Sequence, residues 1–341
     1  MTTPTINEVA DRAGVSKSLV SLVMRGAPHV SDSKREAVLR VASEMGYRPN
    51  AVARSLVEGR TRVIGVMLSD LHNPFFAEVV DGIEAEASRR GYRALMSTGQ
   101  RVPAREAEAI ETFLELRTDG VIVAGPSLPP APIVAAARSA PLVVVGRTMQ
   151  STSVDSVTDD DRKGAGLAVE HLVELGHRRI ACIDGGEGAG SVPRRKGYRQ
   201  AMIRAGLEQH VRVAPGAFTE EGGYRGMQEL LDEEPRPTGV CAANDLAAIG
   251  AMNAIEERGL RVPDDISVVG YDNTALAALR HVRLTTINQP RFQIGEQAVA
   301  VLVERIEAGG TSPRRVLVAP SLVVRDTTAP PSGGSGPRRS K

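Results

Sequence analysis

The sequence has little of what secreted and membrane proteins are built from. Its 341 residues include two cysteines and no tryptophan. Cys182 and Cys241 each lie inside an apolar run, which favours a reducing cytoplasm over a disulfide framework. No apolar run reaches the roughly 18 residues that a membrane span requires. The chain opens on MTTPTINEV without an export signal, so we expect a cytoplasmic protein.

The sequence also lacks the short motifs of common enzymes. It contains no G-x-S-x-G elbow, no H-E-x-x-H and no C-x-x-C. His171 and His177 are six positions apart, which fits no common metal-ligand spacing. The glycine-rich run 185–190 is followed by Ser191, where a dinucleotide-binding loop would have its third glycine. We therefore expect no enzyme, no metal site and no cofactor.

Charge is unevenly distributed along the chain, although its net value is only +1. Residues 1–62 hold ten Lys or Arg against six Asp or Glu, whereas the remainder holds 32 basic against 35 acidic residues. A basic head on a slightly acidic body favours a polyanionic partner for the head alone.

Residues 6–24 have the periodicity of two short amphipathic helices around a tight turn. Apolar residues recur at helical spacing from Ile6, and Gly14 suits the left-handed C-cap position. Ser16 can cap the second helix, which buries Leu19, Val20 and Val23. The opposite face is polar and partly basic, with Lys17, Ser18, Ser21 and Arg25. This pattern is typical of a helix-turn-helix that lays its second helix in a major groove, although any pair of antiparallel helices would share the periodicity.

A third helix and a linker complete the head. Ser31 can cap a helix that ends at Gly46 and has one apolar face. Asn50 can cap a further short helix over 51–57. A helix of seven residues is unstable alone in water, so we expect it to form only when docked. The alternative is a plain linker.

From Arg62 onward, short apolar runs alternate with longer helical patterns. This alternation predicts parallel sheets with helices on both faces, and over 200 residues of it predict two similar subdomains. The predicted strands are Val63–Leu68, Tyr92–Met96, Gly120–Ala124, Leu142–Val145, Ile180–Ile183, Val213–Ala214, Gly239–Ala242 and Ser267–Gly270. The predicted helices are Ala77–Arg90, Ala104–Leu116, Gly164–Leu175, Arg194–Ala205, Gly222–Asp232 and Leu246–Arg258.

Four short segments together resemble the DNA-binding head of the lac repressor (LacI/GalR) family of bacterial transcription regulators. They are Ala13-Gly14-Val15-Ser16, Val20-Ser21, Gly46-Tyr47-Arg48-Pro49-Asn50 and Ala53-Arg54-Ser55-Leu56. The resemblance extends over roughly residues 5–326. It implies an α/β protein in which a helix-turn-helix head precedes a periplasmic-binding-protein-like core of two doubly wound parallel sheets.

The resemblance also implies how DNA is bound. The hinge helix pairs with its twin from a second subunit and enters the minor groove, where Leu56 wedges open a base step. A ligand that separates the two hinges then lowers DNA affinity. The residues expected at the DNA are Thr5, Ser16, Lys17, Ser18, Ser21, Arg25, Val30, Asn50, Ala53 and Leu56.

Two positions of the recognition helix depart from the family pattern. Leu19 stands where threonine is common and Leu22 where arginine is common. Without that arginine the bidentate contact to guanine is absent, so we expect the operator to deviate at that base pair. Arg25 replaces a frequent asparagine and can reach a phosphate or shift the guanine contact.

Ligands of open α/β sheets bind at the carboxyl ends of the strands. Residues at such positions that match ligand positions of the family are Phe75, Phe76, Arg194, Phe218, Asn244 and Asp272. Core packing is the alternative for the two adjacent phenylalanines, and capping is the alternative for Asp272. Asp245 is predicted to cap the next helix rather than to touch a ligand. The run Asp159-Asp160-Asp161 is interpreted as a helix cap, since three consecutive side chains cannot all face one ion without strain.

The predicted domains follow from these patterns. They are a head (1–47), a hinge linker (48–60), a core N-subdomain (61–158 with 291–320), a core C-subdomain (159–290 with 321–326) and a disordered basic tail (327–341). We expect a cytoplasmic homodimer or tetramer, not membrane-bound, that represses transcription from a pseudo-palindromic operator under control of a small effector. The scarcity of aromatic residues favours a sugar or sugar-like effector. A sugar-binding protein without gene control is the alternative, but it would need an export signal and no DNA head.

Overall fold

The computed structural model describes residues 4–48, 59–309 and 312–332. The chain divides into two compact units, residues 1–61 and residues 62–341. We refer to them as the head and the core and describe each by itself.

The head is a three-helix unit, as predicted. Helices α1 (Ile6–Ala13), α2 (Lys17–Met24) and α3 (Asp32–Glu44) enclose a small core that includes Val9, Val20 and Val38, each 0% exposed. A capping box begins α1, because Thr5 N donates to Glu8 Oε2 at 2.6 Å while Glu8 N donates to Thr5 Oγ1 at 3.4 Å.

The predicted ends of these helices are confirmed with one difference. Gly14 ends α1 with φ +65° and Gly46 follows α3 with φ +63°, the left-handed conformation that glycine adopts without strain. Leu19 N donates to Ser16 Oγ at 3.2 Å, so Ser16 caps α2. Ser31 holds the N-cap position of α3, but its side chain accepts no hydrogen bond from that helix.

The core contains two six-stranded sheets, in the described part of the chain, and confirms the predicted α/β class. The N-subdomain sheet has the order β11-β5-β4-β3-β1-β2 with parallel pairings throughout. Its strands are β1 (Val63–Leu68), β2 (Arg93–Thr98), β3 (Gly120–Ala124), β4 (Leu142–Val145), β5 (Asp155–Asp159) and β11 (Arg315–Val318). Its helices are α4 (Phe75–Arg89), α5 (Pro103–Glu115), α6 (Pro130–Ala136) and α11 (Arg291–Ala308).

The C-subdomain sheet repeats this plan with the order β12-β10-β9-β8-β6-β7, in which the edge strand β12 is antiparallel. Its strands are β6 (Ile180–Ile183), β7 (Arg212–Ala214), β8 (Gly239–Ala242), β9 (Ser267–Asp272), β10 (Thr285–Asn288) and β12 (Ser321–Val323). Its helices are α7 (Asp161–Glu174), α8 (Ser191–Arg204), α9 (Glu220–Asp232) and α10 (Asp245–Glu257). Helices cover both faces of each sheet, which is why the central strands are continuous apolar runs.

The chain passes between the two subdomains three times. It crosses after β5, after β10 and after β11, and α11 returns to pack on the N-subdomain sheet. Helices α4 and α11 pack closely there, since a Cβ on Gly82 would lie 2.1 Å from the backbone oxygen of Phe292. The crossings bring the carboxyl ends of both sheets to one cleft.

The prediction of a disordered tail from residue 327 is wrong for residues 327–332. Thr327 is 3% exposed, and its hydroxyl donates to Val268 O at 2.7 Å. Ala329 N donates to Ser267 Oγ at 3.0 Å, and Ala329 O lies 2.9 Å from His177 Nε2. The threonine hydroxyls satisfy the sheet's backbone, so this segment packs against the C-subdomain. Residues 333–341 lie outside the described part.

None of the helices within the described ranges has the length and hydrophobicity needed to cross a membrane.

Candidate functional site

The cleft between the subdomains of the core contains a cavity of about 580 Å³, a volume that includes space open to solvent. Both sheets supply its walls from the ends of their strands. The N-subdomain contributes Ser69, Asp70, Asn73, Phe75, Phe76, Arg101 and Ser127, and the C-subdomain side contributes Arg194, Phe218, Asp272 and Gln289.

Five of the six predicted effector residues line this cavity, and one does not. Phe75 and Phe76 are 8% and 7% exposed, and their rings meet edge to face at 5.2 Å. They therefore combine the core role with a wall of the cavity. Asn244 is 1% exposed and does not line the cavity. Its Oδ1 accepts from Ala247 N at 2.9 Å, so it caps α10.

The predicted capping roles of the aspartates are partly wrong. Asp245 is not the cap of α10, because Asn244 precedes it in that role. Its buried carboxylate accepts hydrogen bonds from Thr274 N at 2.6 Å and Thr286 Oγ1 at 2.6 Å. In the acidic run, only Asp160 acts as a cap, accepting from Lys163 N at 3.1 Å. Its neighbours Asp159 and Asp161 face the cleft cluster described next.

Arg194, at the start of α8, is the centre of the C-subdomain wall. Its Nε donates to Asp161 Oδ1 at 2.8 Å, its Nη1 donates to Ala243 O at 2.8 Å, and Nη1 lies 3.6 Å from Asp272 Oδ1. The guanidinium lies over the Tyr271 ring, 3.6 Å from its centroid. Tyr271 in turn donates its hydroxyl to Asp159 Oδ2 at 2.5 Å. One cation thus contacts two buried acids and an aromatic ring, and the hydroxyl of that ring binds the third acid.

Burial makes these acids hard to ionise. It raises the pKa of Asp161 to about 8, with the nearby charge of Asp159 adding to the rise, and it raises the pKa of Asp272 to about 7. Burial also raises the pKa of Asp159 above its ordinary value. Burial alone would lower the pKa of Arg194, but the neighbouring acids raise it on balance. The Arg194 guanidinium therefore stays charged, and the three acids share its single positive charge.

The glycine-rich run, which lacks the spacing of a dinucleotide loop, has a packing reason instead. A Cβ on Gly185 would lie 2.4 Å from the Phe218 ring, and one on Gly188 would lie 2.6 Å from it. The two glycines make room for that ring, which forms the aromatic wall opposite the N-subdomain. The Phe218 ring centroid lies 5.4 Å from the guanidinium carbon of Arg194.

The N-subdomain wall carries charged residues that the sequence pattern did not single out. Arg101 pairs with Asp70 at 2.8 Å. Glu106, 0% exposed, accepts from Ser69 Oγ at 3.0 Å, Ser127 N at 3.1 Å and Leu128 N at 2.7 Å, so it fixes two loops of the wall. Some lining residues that the sequence pattern did not predict also lie at or just past the ends of strands. The criterion that predicted Asp272, a position at the carboxyl end of a strand, therefore applies to them as well. They are Asp70, Arg101, Ser127, Asp159 and Gln289.

The head presents a polar face on α2. Lys17, Ser18 and Arg25 are exposed and Ser21 is half-buried. Arg25 Nε donates to Ser21 O at 3.2 Å. Leu22 is 39% exposed on the same short helix, so an apolar side chain stands among these polar groups.

The other predicted DNA residues fall into three groups. Thr5 and Ser16 are the N-caps of α1 and α2. Val30 was expected at the DNA, but its side chain is 7% exposed and packs in the core of the head, so it is not available for contact. Asn50, Ala53 and Leu56 lie outside the described residues.

The helix-turn-helix and the cleft each have counterparts in known proteins. Residues 5–50 match the bacterial regulatory proteins of the lacI family, and residues 169–328 match the periplasmic binding protein-like domain. The chain is 36% identical to the ribose operon repressor of Haemophilus influenzae over 327 residues, covering 95% of this chain and 98% of that protein. The chain belongs to the lacI family.

Further relatives agree with this assignment. The HTH-type transcriptional repressor PurR of Vibrio campbellii is 36% identical over 327 residues, again 95% of this chain and 98% of the relative. The crystal structure of the lac repressor dimer bound to operator and the anti-inducer ONPF superposes with a TM-score of 0.86 at 31% identity, covering 96% of this chain and 100% of that chain. This lacI-family protein is therefore a DNA-binding transcription regulator and not an enzyme.

Lys17 gives a direct test of the recognition face. Lys17→Ala is expected to weaken operator binding by roughly 1–3 kcal/mol, because an exposed cation at the start of α2 is lost. If it contacts a phosphate, the dependence of affinity on salt should also flatten by about one counterion. Fluorescence anisotropy over a salt series measures both. Lys196→Ala, an exposed lysine on α8 of the core, is the matched control, and equal losses in the two variants would remove Lys17 from the interface.

Proposed function

We propose that this lacI-family regulator is a cytoplasmic repressor that binds a pseudo-palindromic operator as a homodimer, and that a small sugar-like effector in the inter-subdomain cavity controls its operator affinity. The observation that carries the effector class is the lining of the cavity. Aromatic rings lie beside pairs of carboxylate and guanidinium groups on both walls.

Such a lining suits a compact molecule rich in hydroxyl groups. Each hydroxyl is both a donor and an acceptor, so it can bridge a carboxylate and a guanidinium that already face each other. The Asp70–Arg101 pair on one wall and the Arg194 cluster on the other offer this arrangement. The apolar face of a sugar ring can lie against Phe76 or Phe218. The walls therefore favour a polyol over a purely apolar ligand, which would leave these groups unsatisfied.

Control of DNA affinity follows from the two-wall construction. A ligand that contacts both walls stabilises one relative position of the subdomains, and the linker of each protomer leads into its N-subdomain. Coupling of this kind is reciprocal, so an effector that weakens operator binding is itself bound less tightly by the operator complex. The proposed wedge residue, Leu56, belongs to the linker segment outside the described residues.

Selection of genomic DNA by the purified protein tests the regulator. Fragments of the source genome should be enriched that share one two-fold symmetric site, and Lys17→Ala protein should enrich them less. Adding a panel of pentoses, hexoses and polyols should then release or strengthen binding for at least one sugar. Absence of a shared site, with and without metabolite extract, would refute operator binding, and release only by flat heteroaromatic bases would refute the sugar-like effector.

A further inference from the structure

The part of the cleft around Arg194, where the end of β5 meets the C-subdomain, holds more buried acids than cations. Asp159, Asp161 and Asp272 are 3%, 6% and 3% exposed. Arg194 contacts two of them, Asp161 at 2.8 Å and Asp272 at 3.6 Å. In the described part of the core, no other Lys or Arg lies within 4.0 Å of these three carboxylates. One guanidinium therefore serves three acids.

The nearby cations are engaged by acids of their own. Asp245 is a fourth buried carboxylate near Asp272, and it accepts hydrogen bonds from hydroxyl and amide donors. The buried Arg291 acts on both acids as a nearby positive charge, and its Nε and Nη1 have no hydrogen-bond partner in the part of the chain that the structure describes. Two cations therefore face four buried acids. Full ionisation would thus leave the cluster with a surplus of negative charge. The engaged pairs are Arg101 with Asp70, Arg195 with Asp184, and Arg291 with Glu78.

Two of the carboxylates keep an open acceptor position toward the cavity. Tyr271 donates to Asp159 Oδ2 at 2.5 Å, and Gln289 Nε2 donates to Asp272 Oδ1 at 2.5 Å. The remaining oxygens, Asp159 Oδ1 and Asp272 Oδ2, accept no hydrogen bond from another described residue. Both residues line the cavity. Both oxygens can therefore accept hydrogen bonds from a ligand in the cavity that supplies donors.

A proton supplies part of the missing positive charge, since burial raises the pKa of Asp272 to about 7 and of Asp161 to about 8. A metal ion fits the cluster poorly. Among the described residues no group of three or more His, Cys, Asp or Glu is placed to hold one, and the Arg194 guanidinium lies among the acids. An organic cation with several N–H donors matches both the charge and the open oxygens.

From this cluster we infer that the effector is a hydroxylated, sugar-like molecule that carries an ammonium group, and that this group binds at Asp159 and Asp272. The inference rests on the proposed function, because it places the ammonium in the same cavity. When the ammonium enters, an aspartic acid that was protonated releases its proton to solvent, and the resulting carboxylate pairs with the ligand. Amino sugars and amino polyols are the class of ligand with this chemistry.

Matched pairs of ligands test the ammonium. The native protein is titrated calorimetrically near pH 6.5 in phosphate buffer with D-glucosamine and D-glucose, D-galactosamine and D-galactose, and 1-amino-1-deoxy-D-sorbitol and D-sorbitol. The amine of at least one pair should bind about tenfold more tightly than its hydroxyl partner or better, a difference of ~1.4 kcal/mol. For that pair, Asp159→Asn should remove most of the preference, because the amine should lose far more affinity than its hydroxyl partner. Asp264 is an exposed acid of the C-subdomain, and Asp264→Asn should leave the binding of both ligands unchanged.

The other outcomes test the ammonium site and the effector control of operator binding independently. If hydroxyl partners bind as well as the amines, or if the preference survives Asp159→Asn, the ammonium site is wrong while the sugar-controlled repressor stands. If no amine binds but a neutral sugar of the panel releases the operator, the ammonium site is again wrong and the repressor again stands. If no sugar, amine or metabolite extract alters operator binding, the proposed effector control fails and the ammonium site fails with it.

Discussion

Replacing Arg194 by methionine is expected to destabilise the core by about 3–5 kcal/mol near neutral or mildly alkaline pH, the cost typical of leaving buried charge without its partner. The guanidinium contacts Asp161 and Asp272 and packs on Tyr271. Methionine fills much of the same space but supplies no charge. Three acids therefore remain close together in a buried site without their cation.

The loss of stability in Arg194→Met should depend on pH, and the raised pKa values of the acids determine the direction of that dependence. Their pKa values in the folded core already lie above 3.8, at about 8 for Asp161 and about 7 for Asp272, and removal of the cation raises them further. A group with a raised folded pKa contributes stability that is complete below its unfolded pKa and is lost as pH rises through the folded pKa. The variant should therefore be closest to the native protein near pH 5 and furthest from it near pH 8.

Urea denaturation followed by circular dichroism at these two pH values measures the difference. Arg195→Met is the matched control, because the adjacent arginine pairs with Asp184 but is 35% exposed. Its loss should be near 1 kcal/mol, as expected for a partly solvated pair, with little change between the two pH values. Equal pH profiles for the two variants would show that Arg194 does not hold the buried acids.

Asp272→Asn is expected to raise the stability of the core and to lower the response to the effector. Asparagine can still accept the hydrogen bond from Gln289, and it tolerates the positive φ of +109° at this position better than most residues. The variant loses one of the competing negative charges, so the core should gain stability near pH 8, where the native Asp272 is ionised at a cost. The gain should vanish toward pH 4, since the native side chain is then protonated.

The same variant should lose its response to the effector. A hydrogen bond to a charged group contributes roughly 1.5–3 kcal/mol, so the effector concentration that changes operator binding should rise by one to two orders of magnitude. Operator affinity without effector should stay within about twofold of the native value. Anisotropy titrations with the sugar that acts on the native protein measure both quantities. A normal response would exclude Asp272 from the binding site.

The sequence predicts eight of the strands of this fold but misses β5, β10, β11 and β12. Runs such as Gly120–Ala124 are buried on both faces, so composition identifies them. Strand β5 has the sequence DSVTD and is equally buried, but its buried polarity depends on partners far along the chain. Arg305, for example, pairs with Asp155. A local window contains no sign of that contact.

The candidate site shows the same limit. Positions past strand ends were predictable, and Phe218 and Asp272 were found in this way. Whether an acid caps a helix or faces the cleft was not, because Asn244 and Asp245 are both good caps and differ by one position. The role of Asp161 depends on Arg194, 33 positions away. Thr327 was assigned to a tail by composition, although its hydroxyl bonds to the sheet.

The return of α11 to the N-subdomain fixes the order in which a ribosome can complete the two halves of the core. The first five strands of the N-subdomain are synthesised early, but Val299 and Leu302 of α11 belong to the core on one face of their sheet. Until those residues emerge, α4 alone covers that face. The C-subdomain, apart from its edge strand β12, is complete by residue 288. Most of the C-subdomain is thus made before the N-subdomain sheet has its full cover, and a chain that stops at residue 290 would expose part of an apolar sheet face to other nascent chains and chaperones.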